Sequence, residues 1–263
     1  MAPEKTVKSE VKTVVLTAVI TGYGINADRE LERAFTLAGS QAERIHIQDF
    51  IDNPEKLQDF HILAFPGGFS FGDHLGSGLV FAHLFRKHLK NSLEKFIADG
   101  KLIIGICNGF QVLVKMGVLP DFEGDWTPDV SLIHNSTGLF ENSWLTVSFS
   151  KRSQCVWTKN LEEMDVPIRH GEGRFIAPAS VLERIENENL AAVRYLDRNP
   201  NGSANNIAGI TDRTGRILGL MPHPEAFLFP ENHPRWSSGN ITEGYGIRIF
   251  RNGVDYIKNS LCL

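Results

Sequence analysis

Lys101-Leu-Ile-Ile-Gly-Ile-Cys-Asn-Gly-Phe-Gln-Val-Leu-Val-Lys-Met-Gly117 is the stretch of the sequence that decides the fold. Its first half, residues 102–106, is an unbroken apolar run, which is typical of a parallel strand buried on both faces. Its second half repeats apolar residues at helical spacing: Phe110, Leu113, Val114 and Met116. Gly117 then follows as a helix stop signal. The stretch therefore predicts a buried strand, a sharp turn and a helix.

The turn between the predicted strand and helix is Gly105-Ile-Cys107-Asn-Gly109, the pattern of a nucleophile elbow with cysteine in place of serine. Glycine is needed on both sides because bulky side chains would collide where the strand and the helix cross. A lone cysteine is more often a buried core residue. The two glycines at a strand-to-helix junction favour instead a nucleophile at Cys107, lifted above the edge of the sheet with the helix N-terminus aimed at it.

Composition limits the functions that the chain can have. Its 263 residues suffice for one large α/β domain or two small ones. A formal net charge of −4, without any run of lysine and arginine, argues against nucleic acid or a membrane surface as a partner. The three cysteines, Cys107, Cys155 and Cys262, are too few for a disulfide framework and lack metal-ligand spacing, so no metal site is expected.

No targeting or membrane-spanning segment is predicted. Residues 1–12 mix charges and lack the apolar segment of a signal peptide. No stretch approaches the roughly eighteen apolar residues of a membrane span. We therefore expect a cytoplasmic protein with a poorly ordered tail over residues 1–12 and a single domain over 13–263.

Apolar and β-branched runs predict the remaining strands, and amphipathic spacing predicts the helices. Before the elbow, strands are predicted over 13–20, 44–47 and 61–65, and helices over 28–38 and 79–98. After it, two antiparallel strands are predicted over 130–134 and 144–149, an irregular segment over 151–167 and a turn over 170–175. Three more strands follow over 190–196, 207–211 and 217–221, and then a closing helix over 242–259. This order predicts an α/β fold with a doubly wound, mostly parallel sheet and a β-rich second half.

Two glycine-rich loops follow predicted strands. Gly22-Tyr-Gly24-Ile-Asn-Ala27 fits a form of the dinucleotide-binding fingerprint, but the acidic residue expected about twenty positions further on is met only loosely by Asp49. A tight turn explains these glycines without a ligand, and we favour it. The loop Pro66–Gly78 lacks the Gly-Lys-Ser/Thr ending of a phosphate loop. Its glycines can instead expose backbone N–H groups to a developing oxyanion.

The last predicted strand runs into Pro222-His-Pro-Glu225. A histidine at the carboxyl end of a strand can reach a cysteine on a neighbouring elbow, and a carboxylate two residues later can orient its other ring nitrogen. His223 and Glu225 alone would be a weak signal, because a surface turn explains them equally well. Together with the elbow at Cys107 they predict a catalytic triad.

Five stretches in this order resemble the class I (triad) glutamine amidotransferase family: 24–30, 65–73, 105–111, 170–174 and 219–225. The resemblance implies a flavodoxin-like fold and hydrolysis of L-glutamine to glutamate and ammonia. It also implies that the ammonia passes to the synthetase subunit of phosphoribosylformylglycinamidine synthase, which uses ATP and Mg to amidate phosphoribosylformylglycinamide in de novo purine synthesis. A small bridging subunit is a further implied partner, and no cofactor is expected in this chain.

The resemblance also assigns roles to individual residues. Cys107 would attack the side-chain amide of glutamine, His223 would pass the proton to the leaving ammonia, and Glu225 would hold the imidazole. The backbone groups implied for the oxyanion hole belong to Gly67, Gly68 and Asn108. The residues implied to contact glutamine are Phe69, Gln111, Asn135 and Phe140.

The chain departs from the family where arginines are usual, at Leu139, Ser143 and Ala226. None of these positions is in the triad, so the departures concern the glutamine pocket and the docking surface for the synthetase. Two alternatives remain open at this stage. The chain could be the glutaminase subunit of a different nucleotide or cofactor amidotransferase, or a catalytically silent subunit that keeps the fold.

Overall fold

The computed structural model describes residues 14–260, so the predicted tail over 1–12 lies outside the described residues. The described part of the chain contains eleven β-strands and seven α-helices. The strands are β1 (Leu16–Thr21), β2 (Gln41–His46), β3 (Ile62–Phe65), β4 (Leu102–Ile106), β5 (Ser131–His134), β6 (Glu141–Phe149), β7 (Glu163–His170), β8 (Glu172–Ile176), β9 (Val193–Tyr195), β10 (Ile207–Thr211) and β11 (Ile217–Leu220). The helices are α1 (Asp28–Leu37), α2 (Ile47–Asp52), α3 (Leu79–His88), α4 (Lys90–Ala98), α5 (Asn108–Met116), α6 (Ala179–Asn187) and α7 (Ile247–Ser260).

Nine of the strands form one sheet in the order β2-β1-β3-β4-β11-β10-β9-β6-β7. The first five are mutually parallel, and β10, β9, β6 and β7 continue the sheet in antiparallel pairs. Every residue of β3, β4, β10 and β11 is buried, as their unbroken apolar sequences require. The predicted α/β fold, with a mostly parallel sheet and a β-rich second half, is confirmed.

The prediction for residues 130–176 is wrong in three respects. The strands β5 and β6 do not pair with each other, because β5 pairs with β8 in a separate two-stranded sheet. Residues 163–167, predicted as part of an irregular segment, belong to β7, whose eight residues all pair with β6. Residues 170–175, predicted as a turn, belong mostly to β7 and β8. Buried and partly exposed residues alternate along β7, because this strand lies at the edge of the sheet and exposes one face. The polar residues on that face made the segment resemble a loop.

Two helix predictions are also corrected. The helix predicted over 79–98 is divided into α3 and α4 at Leu89, whose φ and ψ of −123° and 4° are not helical. The helix α6 was not predicted at all, although its residues have a clear amphipathic pattern. The predicted closing helix begins later than expected, at Ile247.

The topology places a cleft at the carboxyl ends of the central strands. The chain leaves β1 toward β2 on one side and returns to β3 and β4 on the other, so the order of strands reverses between β1 and β3. Open α/β sheets bind ligands at such a reversal. The loops after β1 and β3 meet there through a bridge between Ile25 and Gly68. The elbow after β4 and the turn after β11 lie beside them, since β4 is paired with both β3 and β11.

Among residues 14–260, no helix combines the length and the apolar character needed to cross a membrane.

Candidate active site

Cys107 lies in a strained turn between β4 and α5. Its φ and ψ are 52° and −107°, a conformation that non-glycine residues adopt at a cost of about 1–3 kcal/mol. The turn is fixed by the backbone N–H of Cys107, which donates to the Leu220 carbonyl at 2.8 Å. A Cβ atom at Gly109 would lie 2.0 Å from the carbonyl oxygen of Phe65, so only glycine fits there. The predicted elbow is therefore formed, with its sulfur facing the cleft.

His223 and Cys107 both lie next to Gly67. A Cβ atom built on Gly67 would be 2.9 Å from Cε1 of His223 and 3.5 Å from Cβ of Cys107. The imidazole is buried, and its Nε2 atom has no hydrogen-bond partner in the described part of the chain. Burial alone would lower the pKa of His223, but the charges of Glu225 and Cys107 outweigh it and raise the pKa to about 10. A raised pKa suits Nε2 to hold the proton that the Cys107 thiol gives up.

Glu225 holds the other side of the imidazole. Its Oε1 lies 2.6 Å from Nδ1 of His223, and its side chain is 1% exposed. A buried carboxylate in this position fixes Nδ1 as the protonated nitrogen, which leaves Nε2 free to exchange a proton with sulfur. The sequence brings the two side chains together because Pro224 separates them within one 3₁₀ turn, 224–226, at the end of β11. The structure thus joins all three residues of the predicted triad.

The groups predicted for the oxyanion hole differ in their placement. Gly68 lines the cleft, and its N–H has no acceptor within residues 14–260. The Asn108 N–H belongs to the first turn of α5, so the helix offers it no acceptor. The carbonyl of Gly67 accepts from the N–H groups of Asn26 and Ala27, and a Cβ atom at this position would contact His223. The N–H groups of Gly68 and Asn108 therefore remain available to an oxyanion, and Gly67 contributes close packing against His223.

The loop after β1 packs closely against the loop after β3, and glycines are needed on both sides of this contact. A Cβ atom at Gly24 would lie 2.4 Å from the Phe69 carbonyl oxygen, and one at Gly68 would lie 2.8 Å from Cα of Ile25. The Phe69 N–H also donates to the Gly24 carbonyl at 3.0 Å. This packing fixes the loop after β3 over the nucleophile, which gives the glycines a role in the architecture of the site.

The cleft beside the triad encloses about 130 Å³. That is well below the roughly 300–1,000 Å³ of pockets for drug-sized molecules, so the ligand must be small. Three of the four residues predicted to contact glutamine line it: Phe69, Gln111 and Phe140. The fourth, Asn135, is buried behind the wall, where its Nδ2 donates to the carbonyls of Leu139 and His170. The structure therefore gives Asn135 contacts with the wall of the cleft and not with its interior.

A family model described as the CobB/CobQ-like glutamine amidotransferase domain matches residues 15–257 of the chain. The chain belongs to this family. The resemblance stated from the sequence motifs is thereby confirmed.

Relatives of this amidotransferase chain are similar over nearly its whole length. It is 40% identical to the phosphoribosylformylglycinamidine synthase subunit PurQ of Dehalococcoides mccartyi, over 95% of this chain and 99% of that protein. It is 37% identical to the subunit of the same name from Methanococcus maripaludis, over 94% of this chain and 99% of that protein. In the structure of PurLQS from Thermotoga maritima, one chain aligns with a TM-score of 0.72 and 29% identity, covering 94% of this chain and all 100% of that one.

Sequence reasoning missed four ionisable residues that line the amidotransferase cleft: Asp73, Arg169, His170 and Glu172. Three of them lie in matched strings and Arg169 stands directly beside one, but the wrong turn prediction over 170–175 left Arg169, His170 and Glu172 without a position. Arg169 extends from β7 toward Glu225, and Glu172 extends from β8 toward the far end of the cleft. Correct prediction of β7 and β8 would have identified them.

His170 is a second histidine in the cleft, and it is neutral. Burial, and next the charge of His223, lower the pKa of His170 to about 4. Its Nδ1 lies 3.1 Å from Oδ1 of Asn135, while its Nε2 is buried without a partner among the described residues. Since Asn135 donates through Nδ2 to two carbonyls, its Oδ1 must accept, and Nδ1 of His170 carries the proton.

Two of the three positions without the usual arginine, Leu139 and Ser143, are exposed or half-buried. The side chain of Leu139 is 70% exposed, and it stands next to Phe140 in the lining. Ser143 contacts the guanidinium of Arg198, which also binds Glu141 at 2.7 Å. An arginine from another part of the chain therefore lies beside position 143.

Proposed function

We propose that this chain is the glutaminase subunit of phosphoribosylformylglycinamidine synthase, and that it hydrolyses L-glutamine to glutamate and ammonia. The observation that carries the proposal is the placement of Cys107, on a strained elbow, in one small cleft with the buried pair of His223 and Glu225. The names of the relatives that cover nearly all of the chain support the choice of this amidotransferase over others.

In the first half of the proposed reaction, the sulfur of Cys107 attacks the side-chain amide carbon of glutamine while the thiol proton resides on Nε2 of His223, whose pKa is raised to about 10. A C–S bond forms, and the carbonyl oxygen becomes an oxyanion that can accept from the N–H groups of Gly68 and Asn108. The C–N bond then breaks, and His223 gives its proton to the leaving ammonia. Loss of one such N–H donor costs on the order of 10²–10³ in rate in other enzymes.

In the second half, water hydrolyses the γ-glutamyl thioester. His223 takes a proton from the water, the new C–O bond forms, and the C–S bond breaks to release glutamate. Glu225 keeps the imidazole in one orientation through both halves, because its 2.6 Å contact with Nδ1 fixes the ring. We propose that Phe69, Gln111 and Phe140 contact the substrate from the walls, and that Asn135 supports His170.

The proposed partner is the synthetase subunit of the same enzyme, with a small bridging subunit. The similarity to one chain in the structure of PurLQS from Thermotoga maritima supports this assembly. ATP and Mg would bind to the synthetase. The proposed compartment is the cytoplasm, where reducing conditions keep a nucleophilic thiol free. We also propose that residues 13–263 form a single domain, which is supported by the continuous sheet of nine strands.

The proposal is tested by measuring two products with the purified chain and the purified synthetase. Glutamine, ATP and phosphoribosylformylglycinamide should together yield the amidine product and glutamate in equal amounts, and C107S should yield neither from glutamine. Added ammonium should restore the amidine with C107S, because only ammonia production is lost. If glutamate forms but this substrate is never amidated, the chain is the glutaminase of a different nucleotide or cofactor amidotransferase. If no glutamate forms, the chain is a silent subunit.

A further inference from the structure

The buried carboxylate of Glu225 has only one hydrogen-bonded oxygen in the part of the chain that the structure describes, and the partner of that oxygen is His223. Its side chain is 1% exposed, and its Oε2 has no hydrogen-bond partner within residues 14–260. A buried carboxylate with one hydrogen bond is costly to keep ionised. The only other cation within ion-pair distance of it, among the described residues, is Arg169, whose Nη2 lies 3.8 Å from Oε1.

Arg169 is itself held by Glu30 in the first turn of α1. The guanidinium donates from both terminal nitrogens, with Nη2 to Oε2 of Glu30 at 2.6 Å and Nη1 to Oε1 at 3.5 Å. Burial lowers the pKa of Arg169, but its contacts with Glu30 and Glu225 raise it by more, so the group stays charged. The two-pronged contact fixes the plane of the guanidinium, which a lysine could not reproduce.

The backbone around Arg169 also contacts the other two members of the triad. Its carbonyl oxygen lies 4.0 Å from Sγ of Cys107. The carbonyl of Pro167, on the same strand, accepts from the backbone N–H of His223 at 2.9 Å. Strand β7 therefore contacts all three residues of the proposed triad. Arg169 contacts two of them, Cys107 through its main-chain carbonyl and Glu225 through its side chain.

We propose that Arg169, locked by Glu30, is a positioning residue that balances the buried charge of Glu225 and so holds His223 in register with Cys107. This inference rests on the proposed function. The groups that face Glu225 are His223 from its own turn, Arg169 from β7 and, through Arg169, Glu30 from α1. Helix α7 also packs near this turn, and within residues 14–260 it brings no charged side chain within ion-pair distance of Glu225.

The test compares R169M, R169K and E30Q with a matched control, R44M. Arg44 makes the same kind of half-exposed ion pairs with α1, to Asp28 and Glu32, but outside the cleft. The first readout is the rate of Cys107 alkylation by iodoacetamide against pH. This reaction needs no glutamine, so it separates a failure of this inference from a failure of the proposed function. Thermal unfolding of each variant establishes that it is folded.

The expected result is a shift of the alkylation profile. The guanidinium of Arg169 lies 3.8 Å from the carboxylate of Glu225. Loss of an opposite charge at such a distance typically shifts a pH profile by roughly 1–3 pH units, and the half-exposed position of Arg169 places the effect at the lower end. R169M should therefore move the acid limb upward by about one pH unit, a roughly tenfold slower reaction at a fixed pH on that limb. R169K should show a smaller shift in the same direction, because it keeps the positive charge. E30Q should also show a smaller upward shift, because the released guanidinium no longer faces Glu225, and R44M should match the wild type.

The second readout is steady-state glutaminase kinetics of the chain in complex with the synthetase. A positioning role predicts that R169M lowers kcat by about tenfold or more, with KM for glutamine within about threefold of wild type, and that R169K recovers part of kcat. An increase in KM with unchanged kcat and an unchanged alkylation profile would make Arg169 a substrate contact and overturn the inference. Wild-type behaviour of all three cleft variants would overturn it as well.

Discussion

Replacing His170 by glutamine should remove a specific part of the acid sensitivity of the fold. The structure buries this histidine to 3% exposure and lowers its pKa to about 4, mainly by burial and next by the charge of His223. The ordinary pKa of histidine is 6.5. The unfolded chain therefore binds a proton at a pH where the folded chain does not, and stability is lost as the pH falls from 6.5 through about 4.

The magnitude follows from the shift of the pKa of His170. A difference of about 2.5 pH units between the folded and unfolded pKa, at about 1.4 kcal/mol per unit, makes the total contribution of His170 to the free energy of unfolding about 3 kcal/mol. About 2 kcal/mol of this stability is already lost at pH 5. Glutamine can keep the donor to Asn135 but cannot take up a proton. The H170Q variant should therefore lose about 3 kcal/mol less stability than the wild type between pH 7.5 and 4.

The assay is urea unfolding followed by fluorescence at closely spaced pH values, with H88Q as the control because His88 is exposed on α3. Carboxylates titrate in the same range, but they contribute equally to all three proteins and cancel in the differences. Parallel curves of stability against pH for the wild type and H170Q would refute the assignment of a buried neutral imidazole at this position.

Three further predictions concern the elbow and the triad. G109A should lower the free energy of unfolding by several kcal/mol and abolish glutaminase activity, since the added Cβ would lie 2.0 Å from the Phe65 carbonyl oxygen. The control is G124A, whose Cβ would meet no atom within 4 Å but whose φ is +74°. It should cost about 1 kcal/mol in urea unfolding and stay active. The pKa of His223 is raised to about 10, so its contribution to folding stability is full below pH 6.5 and should be lost as the pH rises through about 10. The free energy of unfolding of H223Q, measured in urea, should therefore fall less over this alkaline range than that of the wild type. E225Q should lower kcat for glutamate release by about 10²–10⁴, because the imidazole of His223 is no longer held as a cation. Thermal unfolding should show that the variant is still folded.

The parallel half of the fold was predictable because its signals are local. A strand buried on both faces is an unbroken apolar run, as in residues 102–106, and Gly105 is required by contacts with Gly109 and Leu113, within a few residues. The three residues proposed as a triad could be picked out in the same way, since Cys107, His223 and Glu225 each follow such a strand. The order of parallel strands then brings them to one edge of the sheet.

The part that sequence reasoning missed depends on distant partners. Strand β7 has polar residues on its open face, and it is a strand because β6 pairs with it. Arg169 acquires its position only from that pairing and from Glu30, which lies 139 residues away in the sequence. Asn135 was predicted to contact glutamine, but the two carbonyls that occupy its amide come from Leu139 and His170. No local pattern indicates these contacts.

The measurement that tests the central claim most directly is mass spectrometry after exposure to a glutamine analogue with an electrophilic diazoketone in place of the amide. The account predicts one adduct, on Cys107, formed quickly in the wild type and in C155S, because Cys155 is buried outside the cleft. H223Q should form it far more slowly, and excess glutamine should prevent it. Labelling of Cys107 at the same rate in H223Q and the wild type, or no labelling of Cys107 at all, would contradict the claim that sulfur and imidazole act as one unit on glutamine.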